Sequence, residues 1–353
     1  MIDIDEQRTL FAAGVEKLFL DIMNRARASE ADSETAREQL WETIEINGVT
    51  TIFDPESEGG LGGGLEDAFP VLTCTGTHTV PLPIADTLVA RRLLIGAGMP
   101  RPNGPIGLAC TERPIELTRS PQGAWQLSGR LPNVTWGDAV RHVLVAVEHD
   151  DGVQLMLVDS LAIRVTHVRE NVAGEPVADL QFEDIDVVAI GTAHENPFER
   201  AALARTATMA GALSAALHLA VQHANDRRQF GRPIGKFQAI QHSLALLANE
   251  TAAVNCAALA ACRAASRGDA QFEIAAAKLR ANRAVGIATS IAHQVHGAIG
   301  FTREHPLHLA TQRLWSWRSE YGNDRYWASK LGRRVAALGA HNLWPHLTAL
   351  SDR

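Results

Sequence analysis

The sequence is poor in the features that mark several large classes of protein. Its four cysteines, Cys74, Cys110, Cys256 and Cys262, include no Cys-x-x-Cys pair. That pattern fits neither a cysteine metal site nor a disulfide framework, and buried free thiols in a reducing cytoplasm are expected. Positive charge is not in excess: 33 Lys and Arg stand against 40 Asp and Glu, a net charge of -7. A nucleic-acid binder normally shows a basic face, so the balance argues against that class, whereas a phosphorylated ligand needs only a few local arginines. No run of about 18 uninterrupted apolar residues occurs, so no membrane span is expected. The start of the chain is rich in Asp and Glu, without the basic and apolar segments of a secretory leader.

What remains is an ordinary globular composition, 46% hydrophobic and 21% charged over 353 residues, enough for two or three domains. Apolar spacing in residues 4–46 predicts two short helices joined by the polar segment Ala28 to Glu34. Asp54 to Gly64 carries five glycines and reads as a surface loop. Neither a preceding βαβ strand nor a following Lys-Ser/Thr supports a phosphate cradle there. Helical spacing returns from Glu66 to Gly98, broken at Val80 to Pro83, and Pro100 to Pro105 is a linker.

Between Ile106 and Ile190 short Val- and Leu-rich runs alternate with turns, and Asp150-Asp151-Gly152 is a hairpin signal. This predicts a small antiparallel β domain. From Asn196 the pattern is helical again, rich in alanine, which lets helices approach closely and points to a four-helix bundle. The expected architecture is α+β: an N-terminal helical domain over residues 1–104, a middle β domain over 105–192 and a helical bundle over 193–353.

Inside the helical part, Asn225 to Leu247 breaks at Gly231 and Pro233 and restarts with Phe237, Ile240, Leu244 and Leu247 at helical spacing. It predicts a corner between two helices, with Arg227 and Arg228 in the last turn of the first, where cations suit the helix dipole. Arg227-x-Gln229-Phe230-Gly231-x-Pro233-Ile234-x-x-Phe237-Gln238 resembles the signature of the acyl-CoA dehydrogenase family. Gln294-Val-His-Gly-Ala-Ile-Gly-Phe-Thr-Arg-Glu-His-Pro306 is similar to a second motif of that family, with Ala298 at a usual glycine. Pro55, Glu56, Gly59, Gly60 and Gly62 resemble its N-terminal glycine loop. The likeness covers the whole chain and is strongest from Arg205 to Arg325.

The resemblance implies a fold in the order helical, β, helical, and FAD as cofactor. It implies an acyl-CoA substrate desaturated at the α,β-bond, an electron-transfer flavoprotein as acceptor, and a dimer of dimers. Arg227, Gln229, Phe230, Gln238, Gln294 and Gly297 match positions that complete the FAD site of a neighbouring subunit. Thr135 falls at the distance of a family threonine that holds the chain's own flavin, although the Gly-Ser-Asp motif is missing and only part of Thr-Glu-Pro survives at Thr111 to Pro114. The family's catalytic glutamate maps, counted without gaps, onto Tyr321. Glu320 is one residue early and is the candidate base, Asp324 a more distant one, and the alternative position on the earlier helix is Ala204. Well-kept neighbour-facing positions beside altered own-chain positions imply a subunit of a heteromeric, steroid-type enzyme, a heterotetramer with a second acyl-CoA dehydrogenase-like subunit in the cytoplasm. A homomeric dehydrogenase using Glu320, a stabilising subunit without flavin and a flavin monooxygenase on the same fold are the competing expectations. His293, His296, His305 and His308 are spaced in pairs, but Gly297, Gly300 and Pro306 interrupt any helix that would join them, so local hydrogen bonding is expected rather than a metal.

Overall fold

The structure, a computed structural model, describes residues 4–28, 34–111, 115–149 and 152–351. Helices α1 (Ile4–Ala28), α2 (Glu34–Ile46), α3 (Leu65–Thr77) and α4 (Ile84–Gly96) form the N-terminal part. The first helix has 25 residues, far longer than the short one expected, because apolar Val15, Phe19, Ile22 and Met23 continue a single buried stripe. Residues 29–33 of the expected joining segment lie outside the described residues.

Eight strands follow: β1 (Ile106–Thr111), β2 (Glu116–Arg119), β3 (Trp125–Thr135), β4 (His142–His149), β5 (Gly152–Asp159), β6 (Arg164–Glu170), β7 (Pro176–Asp186) and β8 (Ala189–Thr192). They make two four-stranded sheets, ordered β1-β4-β5-β8 and β2-β3-β7-β6. The antiparallel expectation fails at one pair, since β1 runs parallel to β4 with Ile106 opposite His142. The hairpin expected at Asp150-Asp151-Gly152 is flanked by antiparallel β4 and β5, although its first two residues lie outside the described set. The run Val143 to Val147 is apolar throughout because its sheet is covered twice. Leu144 and Ala146 pack with the N-terminal helices, and Val143, Val145 and Val147 pack against the second sheet.

The C-terminal part holds α5 (Pro197–Asp226), α6 (Gln238–Arg267), α7 (Gln271–His296), α8 (Leu307–Trp317), α9 (Asp324–Leu338) and α10 (Ala340–Ser351). Three long helices and the shorter α8 enclose an alanine-rich core, with Ala210, Ala216, Ala220, Ala258, Ala281, Ala284 and Ala288 all buried. Asn196 caps α5 by accepting a hydrogen bond from the Glu199 amide at 3.0 Å, with Pro197 at the first helical position. By length and composition α6 is apolar enough to cross a membrane, with a mean hydropathy of 1.4 over an 18-residue window of which 28% is buried, although polar residues such as Gln241, His242 and Asn249 interrupt its apolar run. It packs on α5 and α7 and leaves Leu246 exposed.

Two glycines join the N-terminal helices to the bundle. A Cβ on Gly76 of α3 would lie 1.9 Å from the Thr208 carbonyl of α5, and one on Gly211 would lie 1.9 Å from the Thr73 carbonyl. The two backbones therefore touch, and a methyl group at either place forces them apart. Gly76→Ala or Gly211→Ala is expected to lower stability by about 2 kcal/mol or more, read as a drop in the thermal midpoint; an unchanged midpoint for both would contradict the contact.

Candidate functional site

Two separate surfaces collect the residues singled out from the sequence. The first is a cleft of about 660 Å³ between the β region, the start of α5 and the turn after α8, lined in part by Thr135, Phe198, Glu320, Tyr321 and Tyr326. Among the described residues, the charged groups in its lining are Glu148 and Glu320, both acidic. The Thr111 to Pro114 segment falls mostly outside the described residues.

Glu320 does not stand free in this cleft. One carboxylate oxygen lies 3.0 Å from Arg205 Nε, and the other accepts a 3.4 Å hydrogen bond from Ser316. Arg205, buried on α5, also meets buried Asp86 of α4 at 3.2 Å. Tyr321 completes the group by donating its hydroxyl to Asp86 at 2.7 Å, and the guanidinium lies over the rings of Trp317 and Tyr321 at 5.3 and 5.9 Å. Tyr321 adopts a left-handed backbone, φ 49°, an uncommon state for a bulky residue that its contacts hold in place. Burial pushes the Glu320 carboxyl above its usual range, Arg205 pulling the other way. Burial and the Asp86 charge push Tyr321 higher still, so its phenol is neutral and cannot take a proton.

Behind this group lies a cation that the sequence pattern did not flag. Lys278 of α7 is fully buried and donates to Asn282 Oδ1 at 2.7 Å and to the Trp317 carbonyl at 3.0 Å. Asn282 donates in turn to the Gly322 carbonyl at 3.2 Å. The pair thus ties α7 to both ends of the turn that carries Glu320 and Tyr321. Glu175 holds the other side, accepting from Trp317 Nε1 at 3.2 Å and facing Arg313 at 3.9 Å. The one local signal for Lys278 was a lysine on the buried face of an alanine helix.

The second surface is the corner. Arg227 caps α5, and its residue fold differs from the simple turn expected: β9 (Arg228–Gln229) pairs with β10 (Arg232–Pro233) in a two-residue hairpin. At its tip Phe230 and Gly231 both have positive φ, 51° and 80°, the backbone of a type I′ turn. Phe230 is 92% exposed, set edge-on to Phe237 at 6.1 Å, and Arg232 lies over the Phe237 ring at 4.3 Å. Gln229 is exposed, as is Gln238 at the start of α6. Among the described residues the Arg227 side chain has no hydrogen bond or ion pair. At the end of α7, Gln294 and Gly297 are exposed; Gly297 has φ 66° and open space beside it. A guanidinium without a side-chain partner on one element, and a bare glycine backbone on the other, each suit an anionic group such as a pyrophosphate.

The corner and the Gly297 loop are joined through His223 of α5, which stacks on His296 of α7 at 4.7 Å. His293 bonds Thr311 Oγ1 at 3.0 Å and His308 bonds the His305 carbonyl at 2.8 Å, the local bonding expected. The described residues hold no group of three or more His, Cys, Asp or Glu placed for a metal ion. Thr135 and Glu320 thus share the cleft, whereas Arg227, Gln229, Phe230, Gln238, Gln294 and Gly297 lie on the two arms outside it.

Residues 191–335 match the family model for the acyl-CoA dehydrogenase C-terminal domain. The acyl-CoA dehydrogenase IpdE2 of Mycobacterium tuberculosis is 30% identical over 288 residues, 81% of this chain and 83% of that protein. The chain belongs to the acyl-CoA dehydrogenase family. Among solved structures, a variant of the Tcur3481-Tcur3483 steroid ACAD superposes with a TM-score of 0.86 at 25% identity, covering 96% of this chain and all of that one. The ChsE4-ChsE5 complex from Mycobacterium tuberculosis gives a TM-score of 0.84 at 22% identity over 94% of this chain and 97% of that one, a likeness of fold. Tyr321, onto which the family's glutamate maps when counted without gaps, is bonded to Asp86, and the neighbouring Glu320 carboxylate is paired with Arg205.

Burial also pushes the Lys278 ammonium down to about 7 from 10.5. Since the folded value lies below the unfolded one, the Lys278 contribution to stability is present above 10.5 and is lost as pH falls through about 7. Lys278→Met removes the donor to Trp317 and Asn282 and is expected to cost about 1 to 3 kcal/mol at alkaline pH. The gap between variant and native protein should narrow as pH falls towards neutrality, read from urea midpoints across that range. A gap that widens on acidification would contradict the assignment.

Proposed function

We propose that the chain is one subunit of a FAD-dependent, heteromeric acyl-CoA dehydrogenase that desaturates a bulky acyl-CoA thioester at the α,β-bond. Its Arg227 corner and Gly297 loop complete a flavin site in a partner subunit. The observation that carries this reading is the contrast between the two surfaces. The corner offers an unpaired Arg227, an exposed Phe230 and an open Gly297 backbone. The described cleft lining offers carboxylates to ligands that are themselves anionic, and its Glu320 is bound to Arg205. Two of the proteins similar in fold, the Tcur3481-Tcur3483 steroid ACAD and the ChsE4-ChsE5 complex, are named as pairs, which supports an unlike partner. The sparsely buried face of α6 supports association in a heterotetramer.

FAD, when bound, supplies the acceptor for the β-hydride. This chain's part is to hold and exclude: Arg227 gives a charge-assisted hydrogen bond to a phosphate oxygen, Gln229, Gln238 and Gln294 offer amides, and Phe230 covers apolar surface against water. In this reading the carboxylate that takes the α-proton comes from the partner, and electrons leave to an electron-transfer flavoprotein in the cytoplasm.

A second reading places the base in this chain at Glu320, with Thr135 beside the chain's own flavin. It is favoured by the raised Glu320 carboxyl at the cleft, a hallmark of general bases. It requires Arg205 to release Glu320 before a proton can be taken.

Co-expression with a partner subunit should give about one FAD per unlike pair, and Arg227→Ala in this chain should lower flavin occupancy at least tenfold, a loss of about 1.4 kcal/mol or more. A stable homomer with one FAD per chain would overturn the heteromeric reading. Glu320→Gln separates the two assignments of the base: a fall in kcat of about a hundredfold or more belongs to the second reading, and lowered stability with turnover kept belongs to the first.

A further inference from the structure

Three imidazoles meet at the junction of the two arms, and neither the fold nor the proposed chemistry accounts for them. His223 and His296 stack at 4.7 Å with an interplanar angle of 25°. His305, from the loop after Gly297, meets His296 at 4.6 Å and His223 at 6.3 Å. The three rings come from the last turn of α5, the last turn of α7 and the segment leading into α8. His223 lies four positions before Arg227, whose amide bonds the His223 carbonyl at 2.9 Å, and His296 directly precedes Gly297. His296 is buried, its Nδ1 bonding the Ala292 carbonyl at 2.7 Å. It therefore faces its neighbours rather than a ligand.

We propose that the stack of His223, His296 and His305 is a positioning device that clamps the Arg227 corner to the Gly297 loop, holding in register the two arms that complete the partner's flavin site. The inference rests on the reading given under Proposed function and adds the residues that align its two halves. The clamp requires uncharged rings, because close-packed imidazolium ions repel one another and His296 is cut off from water. The charged or titratable groups that act on the stack are Asp226 and Arg227 beside His223, His293 beside His296, and His308 beside His305. Of these charged groups only Asp226 favours a charged ring, and the backbone carbonyls of Ala292 and Leu219 do so at His296. Burial holds all three histidines below the usual 6.5, so their contribution is intact above 6.5 and is lost as pH falls through the lowered values.

Acid therefore has opposite effects under two roles. Histidines that touched the pyrophosphate would bind the anion more tightly when charged, whereas positioning histidines let go. The test uses the co-purified complex with flavin bound and follows release of FAD by fluorescence at about pH 8 and about pH 5. The native complex is expected to release FAD about tenfold faster in acid. His223→Phe keeps a stacked ring that cannot be charged and leaves only the His296–His305 pair to repel, so its acid release should be clearly slower than that of the native complex. His223→Ala, without the ring, should release it at both.

Tighter retention in acid, or the same acid release in His223→Phe as in the native complex, would overturn the proposal. A complex that lacks flavin even at alkaline pH counts against the reading under Proposed function instead. The clamp is then judged by hydrogen exchange of the amides from Arg227 to Gln238. Exchange should quicken on acidification in the native chain and quicken less in His223→Phe; equal quickening in both overturns it.

Discussion

Arg205 is the charge around which the middle of this molecule is arranged. A guanidinium so deeply buried is tolerated only when opposite charge surrounds it, and here Asp86 and Glu320 do so from two different parts of the chain. Each partner is thereby committed. Asp86 also receives the Tyr321 hydroxyl, which fixes the turn after α8, and Glu320 is drawn towards α5. The cleft's chemistry is thus set from behind its wall, by a residue that is absent from its lining.

The same constraint ties the three parts of the fold together. Asp86 belongs to the N-terminal helices, Arg205 to the first bundle helix, and Glu175, whose carboxylate meets Trp317 and Arg313, to the segment just before β7. Lys278 and Asn282 close the group from α7. Breaking one member leaves uncompensated charge in a dry interior, which costs far more than loss of a surface ion pair. Reciprocal contact of Gly76 and Gly211 gives the apolar counterpart, fixing how near α3 can lie to α5.

Features encoded over short distances were readable from the sequence. The break at Val80 to Pro83 separates α3 from α4 as the spacing requires, and the corner lies where Gly231 and Pro233 interrupt the apolar stripe. The motifs around Arg227 and Gln294 carried the family. Strand β7 is hard to read from the sequence because polar residues alternate along Pro176 to Asp186, the mark of a half-covered sheet rather than an apolar run. The hairpin inside the corner was missed because two residues per strand have no periodicity. Asp86, Lys278 and Asn282 were invisible for a deeper reason: each is a polar residue buried inside a helix, and the groups that justify it, Arg205 and Tyr321 for Asp86 and the turn from Trp317 to Gly322 for Lys278 and Asn282, lie far away in the chain.

The tip of that hairpin has a consequence for the life of the unassembled chain. A nearly naked phenylalanine on a stiff turn, together with exposed Phe301, Leu246 and Ile299, gives a lone subunit adhesive surface that chaperones and proteases recognise. If the partner subunit proposed above covers those side chains, chain made in excess of that partner keeps them bare and is the first to be cleared.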